Sequence, residues 1–243
     1  MGTLYRNVSQ HIEELEPNTT IVEIGSDRGE GSTIYFAELA KKYSLEFHTV
    51  DILDNAKSQN NHLDINWHIA VGSTWCQETY PLIDKKISIL YLDNFDYIWD
   101  VTYHGSTPDS MWNEEIYNNL RGESWPEQFT PYNQLPKWLQ EEVVNDYDIS
   151  YDLMLNEMKK QYAKFGFELS NTSCQLEHFK QLYYLIEYLA DNCIVVFDDT
   201  FKINDCWTGK NGPGVSLLLT LGFNIVDQVD IKLNKGVILK RGN

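Results

Sequence analysis

The sequence is poor in basic residues. Only 19 Lys and Arg residues oppose 36 Asp and Glu residues, so the formal net charge at pH 7 is −17. Nucleic-acid-binding proteins draw much of their affinity from Lys and Arg side chains that neutralise phosphates. Anionic membranes likewise attract basic surfaces rather than acidic ones. The charge therefore argues against a nucleic-acid partner and against a membrane partner.

Long apolar runs and paired cysteines are also missing. No stretch approaches the ~20 apolar residues of a membrane-spanning helix, and the opening MGTLYRNVSQHIEEL has neither the basic start nor the apolar stretch of a signal peptide. The four cysteines form no CxxC pair, which favours reduced thiols and disfavours a zinc site. We therefore expect a cytoplasmic protein.

What the chain does contain is an alternation of strand-like and helix-like segments. Apolar or β-branched runs predict five strands, and helical spacing at 32–43 and 175–192 predicts helices between them. Two more predicted strands are joined by an Asn-Lys-Gly turn that suits a hairpin. The predicted strands lie at 19–25, 45–52, 65–72, 87–95, 193–201, 223–231 and 236–241. This order predicts an α/β fold, a Rossmann-like, doubly wound, seven-stranded and mostly parallel sheet with a C-terminal antiparallel hairpin.

Residues 97–175 break this alternation. The segment is rich in Trp, Tyr, Asn and acidic residues and has no simple period. We interpret the chain as one domain, 1–243, with 97–175 as a helical or irregular insertion. Its aromatic residues, among them Trp112, Trp125 and Trp138, suit either a lid over a binding site or a homo-oligomer contact, and both remain open.

A glycine-rich loop, GSDRGEG at 25–31, lies between the first predicted strand and the first predicted helix. Open α/β sheets bind ligands beyond the carboxyl ends of their strands, where glycine lets a ligand approach the backbone. Glu23 and Asp27 make this loop acidic, which suits a cationic ligand better than a pyrophosphate. A purely structural turn is the alternative.

Two further positions lie at the same predicted edge of the sheet. Asp51 ends the second strand, about 20 residues beyond the loop, where a carboxylate commonly binds ribose hydroxyls. A strand-end cap is its structural alternative. Gly72 and Ser73 follow the third strand, and an ordinary turn explains them equally well.

The motifs VEIGSDRGEGST and FHTVDI resemble the first two motifs of class I S-adenosylmethionine-dependent methyltransferases. Within that class the chain is most similar to metal-dependent O-methyltransferases of the catechol type and of the macrolide or aminocoumarin sugar type. The resemblance covers residues 19–95 and 176–240. It implies S-adenosyl-L-methionine as cofactor, and the residues we expect to bind it are Glu23, Gly25, Ser26, Gly29, Asp51, Ile52, Gly72, Ser73 and Asp93.

Two acidic motifs, LDNFD and FDD, end the fourth and fifth predicted strands. Adjacent strands lie ~4.8 Å apart, so acids at the same ends of neighbouring strands converge. Converging carboxylates without a basic partner repel one another unless a cation neutralises them, and Mg²⁺ or a similar divalent metal takes oxygen ligands. In the family that the chain resembles, such a metal holds an acceptor hydroxyl, which implies Asp93, Asp198 and Asp199 as metal ligands.

The general base is less well defined. In the resembled family it commonly lies three residues after the first metal ligand, as Lys or His, and this chain has Asp96 there. An aspartate is a weak base unless burial raises its pKa, and Asp96 is also a candidate metal ligand. His178 and His104 are the alternative bases, although a His on a predicted helix is more often packed than catalytic.

These features together predict an enzyme that transfers a methyl group from S-adenosylmethionine to a hydroxyl of a small-molecule acceptor. A metal-independent methyltransferase acting on nitrogen or a carboxylate is one alternative, and a non-catalytic S-adenosylmethionine-binding protein is another. A nicotinamide oxidoreductase is disfavoured because the loop is acidic and lacks a clean GxGxxG. The segment at 210–214 lacks P-loop spacing, and we interpret it as a turn or a rim of the site.

Overall fold

The computed structural model describes residues 3–95, 159–203, 206–231 and 234–242. Asp96, His104 and the three tryptophans of the insertion lie outside these ranges. The roles expected of them therefore stay predictions. In the described ranges, no helix is both long enough and apolar enough to cross a membrane.

The described ranges contain nine strands and six complete α-helices, besides a helical segment at 159–164. The helices are α1 (Ser32–Tyr43), α2 (Asn55–Asn60), α3 (Gly72–Thr74), α4 (Tyr80–Ile83), α5 (Asn171–Leu185) and α6 (Gly212–Thr220). A π-helical turn, Trp75–Thr79, joins α3 to α4, residues 159–164 are helical, and short 3₁₀ helices span Leu4–Gln10 and Ile186–Tyr188. The strands are β1 (Thr20–Ile24), β2 (Glu46–Asp51), β3 (Asn66–Ile69), β4 (Ile87–Leu92), β5 (Leu189–Asp198), β6 (Thr200–Ile203), β7 (Cys206–Gly209), β8 (Phe223–Ile231) and β9 (Asn234–Arg241).

Seven of these strands form one sheet in the order β3-β2-β1-β4-β5-β9-β8. The first five strands are parallel, and β9 pairs antiparallel with both β5 and β8. This arrangement confirms the predicted Rossmann-like α/β class with its C-terminal hairpin. Parallel pairing brings the carboxyl ends of β1 to β5 to one edge of the sheet, where the predicted site residues lie.

Helices cover both faces of the sheet, and each face has its own core. Alternate residues of a strand point to opposite faces, so in β4 Leu90 belongs to one core and Ile89 to the other. One core is formed with α1 and the N-terminal 3₁₀ helix. The other is formed with α4, α5 and α6. All six residues of β4 are buried, as a strand covered on both faces requires.

Two boundaries differ from the sequence-based expectation. The helix expected to reach residue 192 ends at Leu185, and β5 begins at Leu189 because that residue already pairs with Ile87 of β4. No strand was predicted between residues 201 and 223, whereas Cys206–Gly209 pairs with Thr200–Ile203 as the antiparallel hairpin β6–β7. This second difference changes the chemistry of the site.

Candidate functional site

A cavity of about 280 Å³ lies at the carboxyl edge of the parallel strands. It is near the lower end of the ~300–1,000 Å³ range of ligand pockets. Five of the nine expected cofactor-binding residues line it, namely Gly25, Asp51, Ile52, Gly72 and Asp93. They come from the ends of four different strands, so the fold brings together residues that are up to 68 positions apart, from Gly25 to Asp93.

Gly25 begins the glycine loop in a conformation that only glycine adopts easily. Its φ is +99°, in the region where a Cβ atom clashes with the backbone. A Cβ here would also lie 2.4 Å from the backbone nitrogen of Asn94. The loop therefore passes close to the end of β4, and glycine is required for that approach.

Asp51 holds the loop in place while it faces the cavity. Its Oδ2 accepts hydrogen bonds from the backbone N–H groups of Ser26 and Asp27, both at 2.9 Å. Its Oδ1 accepts the N–H of Leu53 at 2.9 Å. Each carboxylate oxygen has two lone pairs, so Oδ1 retains capacity for a ligand hydroxyl. The structural and ligand-binding interpretations of Asp51 are thus compatible.

The other expected cofactor residues lie off the main cavity. Ser26 lines a second cavity of about 100 Å³ that shares Gly25, Asp27 and Asp93 with the first. Gly29 packs against Ala56 and Asn60 on α2. The cofactor contacts expected of Ser26 and Gly29 stay predictions.

Glu23 is fully buried beneath the loop. Its Oε2 accepts hydrogen bonds from the hydroxyls of Thr33 (2.8 Å) and Thr49 (2.7 Å). Burial raises the pKa of this carboxyl to about 7, although the hydroxyl donors lower it. Glu23 lines neither of the two cavities, so its position suits support of the loop rather than ligand contact.

Glu177 is a cavity residue that the sequence analysis missed. It extends from α5 to the start of α3, where its carboxylate accepts the N–H and the hydroxyl of Ser73, both at 2.8 Å. Gln181, one turn along α5, donates to the same carboxylate at 3.0 Å. Ser73 thus binds Glu177, and Glu177 lines the cavity. The LEHFKQ sequence carries no motif that would have indicated this.

An aromatic wall, made of Phe95, Tyr162, Phe165 and Phe167, closes one side of the cavity. The ring of Phe95 lies 4.4 Å from that of Tyr162 and 5.4 Å from that of Phe167, centroid to centroid. Three of these residues belong to the predicted insertion. Part of the insertion therefore lines the cavity, and both of its expected roles, as a lid and as an oligomer contact, stay predictions.

Asp93, Asp198 and Asp199 converge at the ends of β4 and β5, as the sequence analysis expected, and we name them the acidic centre. The Tyr91 hydroxyl lies 2.9 Å from Asp93 Oδ2 and 3.1 Å from Asp198 Oδ2. Burial, together with the neighbouring carboxylates of Asp93 and Asp199, raises the pKa of Asp198 well above its ordinary value. Asp198 therefore releases its proton less readily than an exposed aspartate does.

The acidic centre has a basic partner, contrary to the premise from which a metal was inferred. Lys210 Nζ lies 2.8 Å from Asp93 Oδ1 and 2.9 Å from Asp199 Oδ2. Burial by itself raises the pKa of Asp93, but the Lys210 ammonium outweighs it and holds that pKa below its ordinary value. Lys210, the first residue of the turn predicted at 210–214, thus provides the positive charge for which a metal ion had been inferred.

The expected metal ligands do not fit a divalent ion in this arrangement. Within the ranges that the structure describes, no group of three or more His, Cys, Asp or Glu side chains is arranged to hold a metal. Asp198 turns one oxygen toward Tyr91 and the other toward the N–H of Asp199, at 3.0 Å. Asp93 Oδ1 and Asp199 Oδ2 are both bound to the Lys210 ammonium.

His178, the alternative base, lies fully buried on α5 and lines neither cavity. Its Nδ1–H donates to the carbonyl of Cys174 at 2.9 Å. Burial, reinforced by the nearby Lys210 ammonium, lowers the pKa of His178 to about 3, so the ring is neutral at pH 7. This placement suits a packed histidine, and the structure gives it no access to a ligand in either cavity.

No protein-family model and no curated protein matches the chain. Among solved structures, it is similar to a protein of Clostridium thermocellum described as a candidate rRNA methylase, with TM-score 0.47 and 10% identity over 99% of this chain and 97% of the other. A candidate methyltransferase of Streptococcus mutans, solved in complex with SAH, has TM-score 0.46 and 9% identity over 97% and 94% of the two chains.

A third similar structure is the 1,6-didemethyltoxoflavin-N1-methyltransferase of Burkholderia thailandensis with bound S-adenosylhomocysteine. It has TM-score 0.44 and 8% identity over 99% of this chain and 77% of the other. At these identities and TM-scores the likenesses assign neither a family nor a function to the chain. By its own strand order, the chain has the Rossmann-like α/β fold.

Proposed function

We propose that this chain is an S-adenosylmethionine-dependent methyltransferase acting on a hydroxyl group of a small molecule. The observation that carries the proposal is the main cavity, which joins the glycine loop, Asp51 and Asp93 at the carboxyl edge of a parallel sheet. Ligands of open α/β sheets bind at this edge. The motifs that resemble class I methyltransferases supply the walls of this same cavity.

The charge of the cavity wall supports a cationic ligand. The carboxyl groups of Asp27, Asp51, Asp93 and Glu177 line it together with the Lys210 amine. S-adenosylmethionine carries a sulfonium and an ammonium group, which acidic surroundings stabilise. A nicotinamide cofactor would instead bring an anionic pyrophosphate to these acids, so the wall disfavours the oxidoreductase alternative.

Several residues of the chain fit the parts of this cofactor. Asp51 Oδ1 has capacity for a ribose hydroxyl, and Gly25 lines the same cavity. The aromatic wall of Phe95, Tyr162, Phe165 and Phe167 offers apolar surface that excludes water. When bound, S-adenosylmethionine supplies a methyl group on a sulfonium, from which a neutral thioether leaves.

Proximity and alignment supply much of the acceleration of such a transfer. As a lone pair of the acceptor oxygen forms the new bond to the methyl carbon, the carbon–sulfur bond breaks and its electron pair goes to sulfur. The acceptor proton passes to a base, for which Asp96 remains our predicted residue. In this proposal the cavity residues bind the cofactor, and Asp96 directly follows Phe95 of the aromatic wall.

Metal-independent transfer to nitrogen or to a carboxylate is the second candidate. The observation that favours it is the Lys210 ammonium between Asp93 and Asp199, since a hydroxyl acceptor without a metal depends more on a strong base. Parallel turnover assays with hydroxyl, amine and carboxylate acceptors, each with and without EDTA, separate the two candidates.

Calorimetric titration with S-adenosylmethionine and with S-adenosylhomocysteine tests the proposal. We expect micromolar-range binding by the wild type that is strongly weakened in Asp51→Asn. Asp54→Asn is the matched control, because Asp54 is exposed and its side chain does not cap α2. No binding of either compound by the wild type would refute the proposal. Tight binding with no turnover on any acceptor would point to the non-catalytic alternative.

A further inference from the structure

The position of Lys210 is built into the fold. Its side chain is 7% exposed, and the amine lies within 3 Å of oxygens from two different strand ends, at 2.8 Å from Asp93 and 2.9 Å from Asp199. Long lysine side chains usually keep their ammonium group in water. A buried ammonium held by two carboxylates is therefore an organised site rather than a surface contact.

The β6–β7 hairpin explains how Lys210 reaches this place. Gly209 pairs with Thr200 across the hairpin, and the N–H of Lys210 donates to the carbonyl of Asp199 at 3.0 Å. Gly209 has a φ of +80°, and a Cβ there would lie 2.0 Å from the same carbonyl oxygen. Gln175 of α5 donates to the Gly209 carbonyl at 2.9 Å. The backbone on both sides of the lysine is thus fixed.

The amine occupies the point where a cation would bridge the two strand ends. Asp93 Oδ1 and Asp199 Oδ2 both face Nζ, as carboxylate oxygens face a shared metal ion. A divalent cation at that point would have to displace the ammonium, because two positive charges at contact distance repel strongly. The remaining carboxyl of the centre, Asp198, bonds to Tyr91 and to the Asp199 backbone instead.

We infer that Lys210 takes the place of a divalent metal in the acidic centre. It is a positioning residue, which holds Asp93 on the wall of the main cavity and joins the end of β4 to that of β5. A further consequence is that methyl transfer needs no metal. Only this consequence rests on the proposed function. The inference about the cation site itself does not.

The test measures Mn²⁺ binding by the full-length protein, followed by the electron paramagnetic resonance signal of free Mn²⁺. We expect the wild type to have no saturable site at the acidic centre. Lys210→Met keeps the length and the apolar stem of the side chain but removes the charge. The carboxylates of Asp93 and Asp199 should then form a saturable Mn²⁺ site, at least about tenfold tighter than any Mn²⁺ binding by the wild type, because no ammonium competes.

Two further variants show whether charge causes the gain. Lys210→Arg retains a cation and should leave Mn²⁺ binding as weak as in the wild type. If altered packing rather than lost charge caused the gain in Lys210→Met, Lys210→Arg should also gain Mn²⁺ binding. The double variant Lys210→Met/Asp199→Asn removes one facing carboxylate and should abolish the gained site. Circular dichroism verifies that each variant is folded.

Two results would overturn the inference. One is saturable Mn²⁺ binding by the wild type that disappears in Asp199→Asn, which would show that a metal displaces the lysine. The other is a folded Lys210→Met variant that gains no Mn²⁺ binding. If Lys210→Met does not fold, the Mn²⁺ titrations of the wild type and of Asp199→Asn still show whether a metal displaces Lys210. Failure of the methyltransferase proposal is separate, since it appears as lost S-adenosylhomocysteine binding with the Mn²⁺ results unchanged.

Discussion

Glu23 carries a carboxyl group on β1 that is shielded from solvent. Its side chain is fully buried and bonded to two threonine hydroxyls. Burial of a carboxylate disfavours the charged form, so the pKa rises from 4.5 to about 7. The residue therefore links the stability of the strand that leads into the glycine loop to pH.

The pH dependence has a definite sign. The folded protein holds the Glu23 proton more tightly than the unfolded chain does, so the group favours folding below about pH 4.5, and this advantage is lost as the pH rises through about 7. Glu23→Gln removes the titration. Relative to the wild type, the free energy of unfolding of Glu23→Gln should therefore rise by about 3 kcal/mol between about pH 4.5 and pH 8.

Urea denaturation at several pH values measures this difference. Glu38→Gln, an exposed glutamate on α1, is the control for the loss of one formal charge. A difference between Glu23→Gln and the wild type that stays constant with pH would contradict the assignment of a raised pKa to Glu23.

At the scale of single elements, the loop between β1 and α1 and the β6–β7 hairpin decide where the site lies. Each contains a glycine with positive φ that approaches a neighbouring backbone, Gly25 against Asn94 and Gly209 against Asp199. The first approach brings the loop to the end of β4. The second brings Lys210 to the acidic centre. The positions of both elements depend on backbone geometry at a glycine more than on side-chain chemistry.

Gly25→Ala tests the first approach. The substitution adds an unfavourable positive φ and a contact of 2.4 Å with the Asn94 backbone, so it should cost about 1–3 kcal/mol of stability beyond the dihedral strain alone. It should also abolish S-adenosylhomocysteine binding, because the loop must move away from the cavity.

Gly222→Ala is the matched control for that substitution. Gly222 has a φ of +85°, but a Cβ added there would meet no atom within 4 Å, so only the dihedral strain of about 1–2 kcal/mol applies. Its cofactor affinity should be that of the wild type. Equal stability losses in the two variants, measured by urea denaturation, would contradict the proposed close approach.

At the scale of the whole molecule, the net charge of −17 is the dominant property. Like charges destabilise a compact state through self-repulsion, and salt screens them. The same charge opposes binding to phosphate backbones. The charge therefore agrees with the expectation that the chain acts on a small molecule rather than on a nucleic acid.

Two measurements test the consequences of this net charge, one on stability and one on nucleic-acid binding. The melting temperature should rise as sodium chloride is increased from low to physiological concentration, as measured by scanning calorimetry.

Fluorescently labelled duplex DNA and structured RNA should show no saturable binding at about 0.1 M salt, where the Debye length is still about 10 Å. Saturable binding to either nucleic acid that weakens with salt would contradict the small-molecule acceptor.

The class of the sheet, with its parallel strands and its C-terminal hairpin, was predictable from the sequence. Parallel strands buried on both faces appear as continuous apolar runs, and α1 was predicted with its observed bounds, Ser32–Tyr43. Asp51 and Gly25 were predictable because short-range spacing places them at the ends of such runs. These features depend on local periodicity, which the sequence records directly.

Only the tertiary structure revealed the cation in the acidic centre and the carboxylate of Glu177 on the cavity wall. Lys210 and Asp93 are 117 positions apart, and their contact depends on the order in which the strands lie in the sheet and on the β6–β7 hairpin. The sequence determined that acids converge at this edge of the sheet. Which charge neutralises them depended on three-dimensional packing, because an ion pair forms wherever the fold brings the groups within contact distance and no local pattern records it.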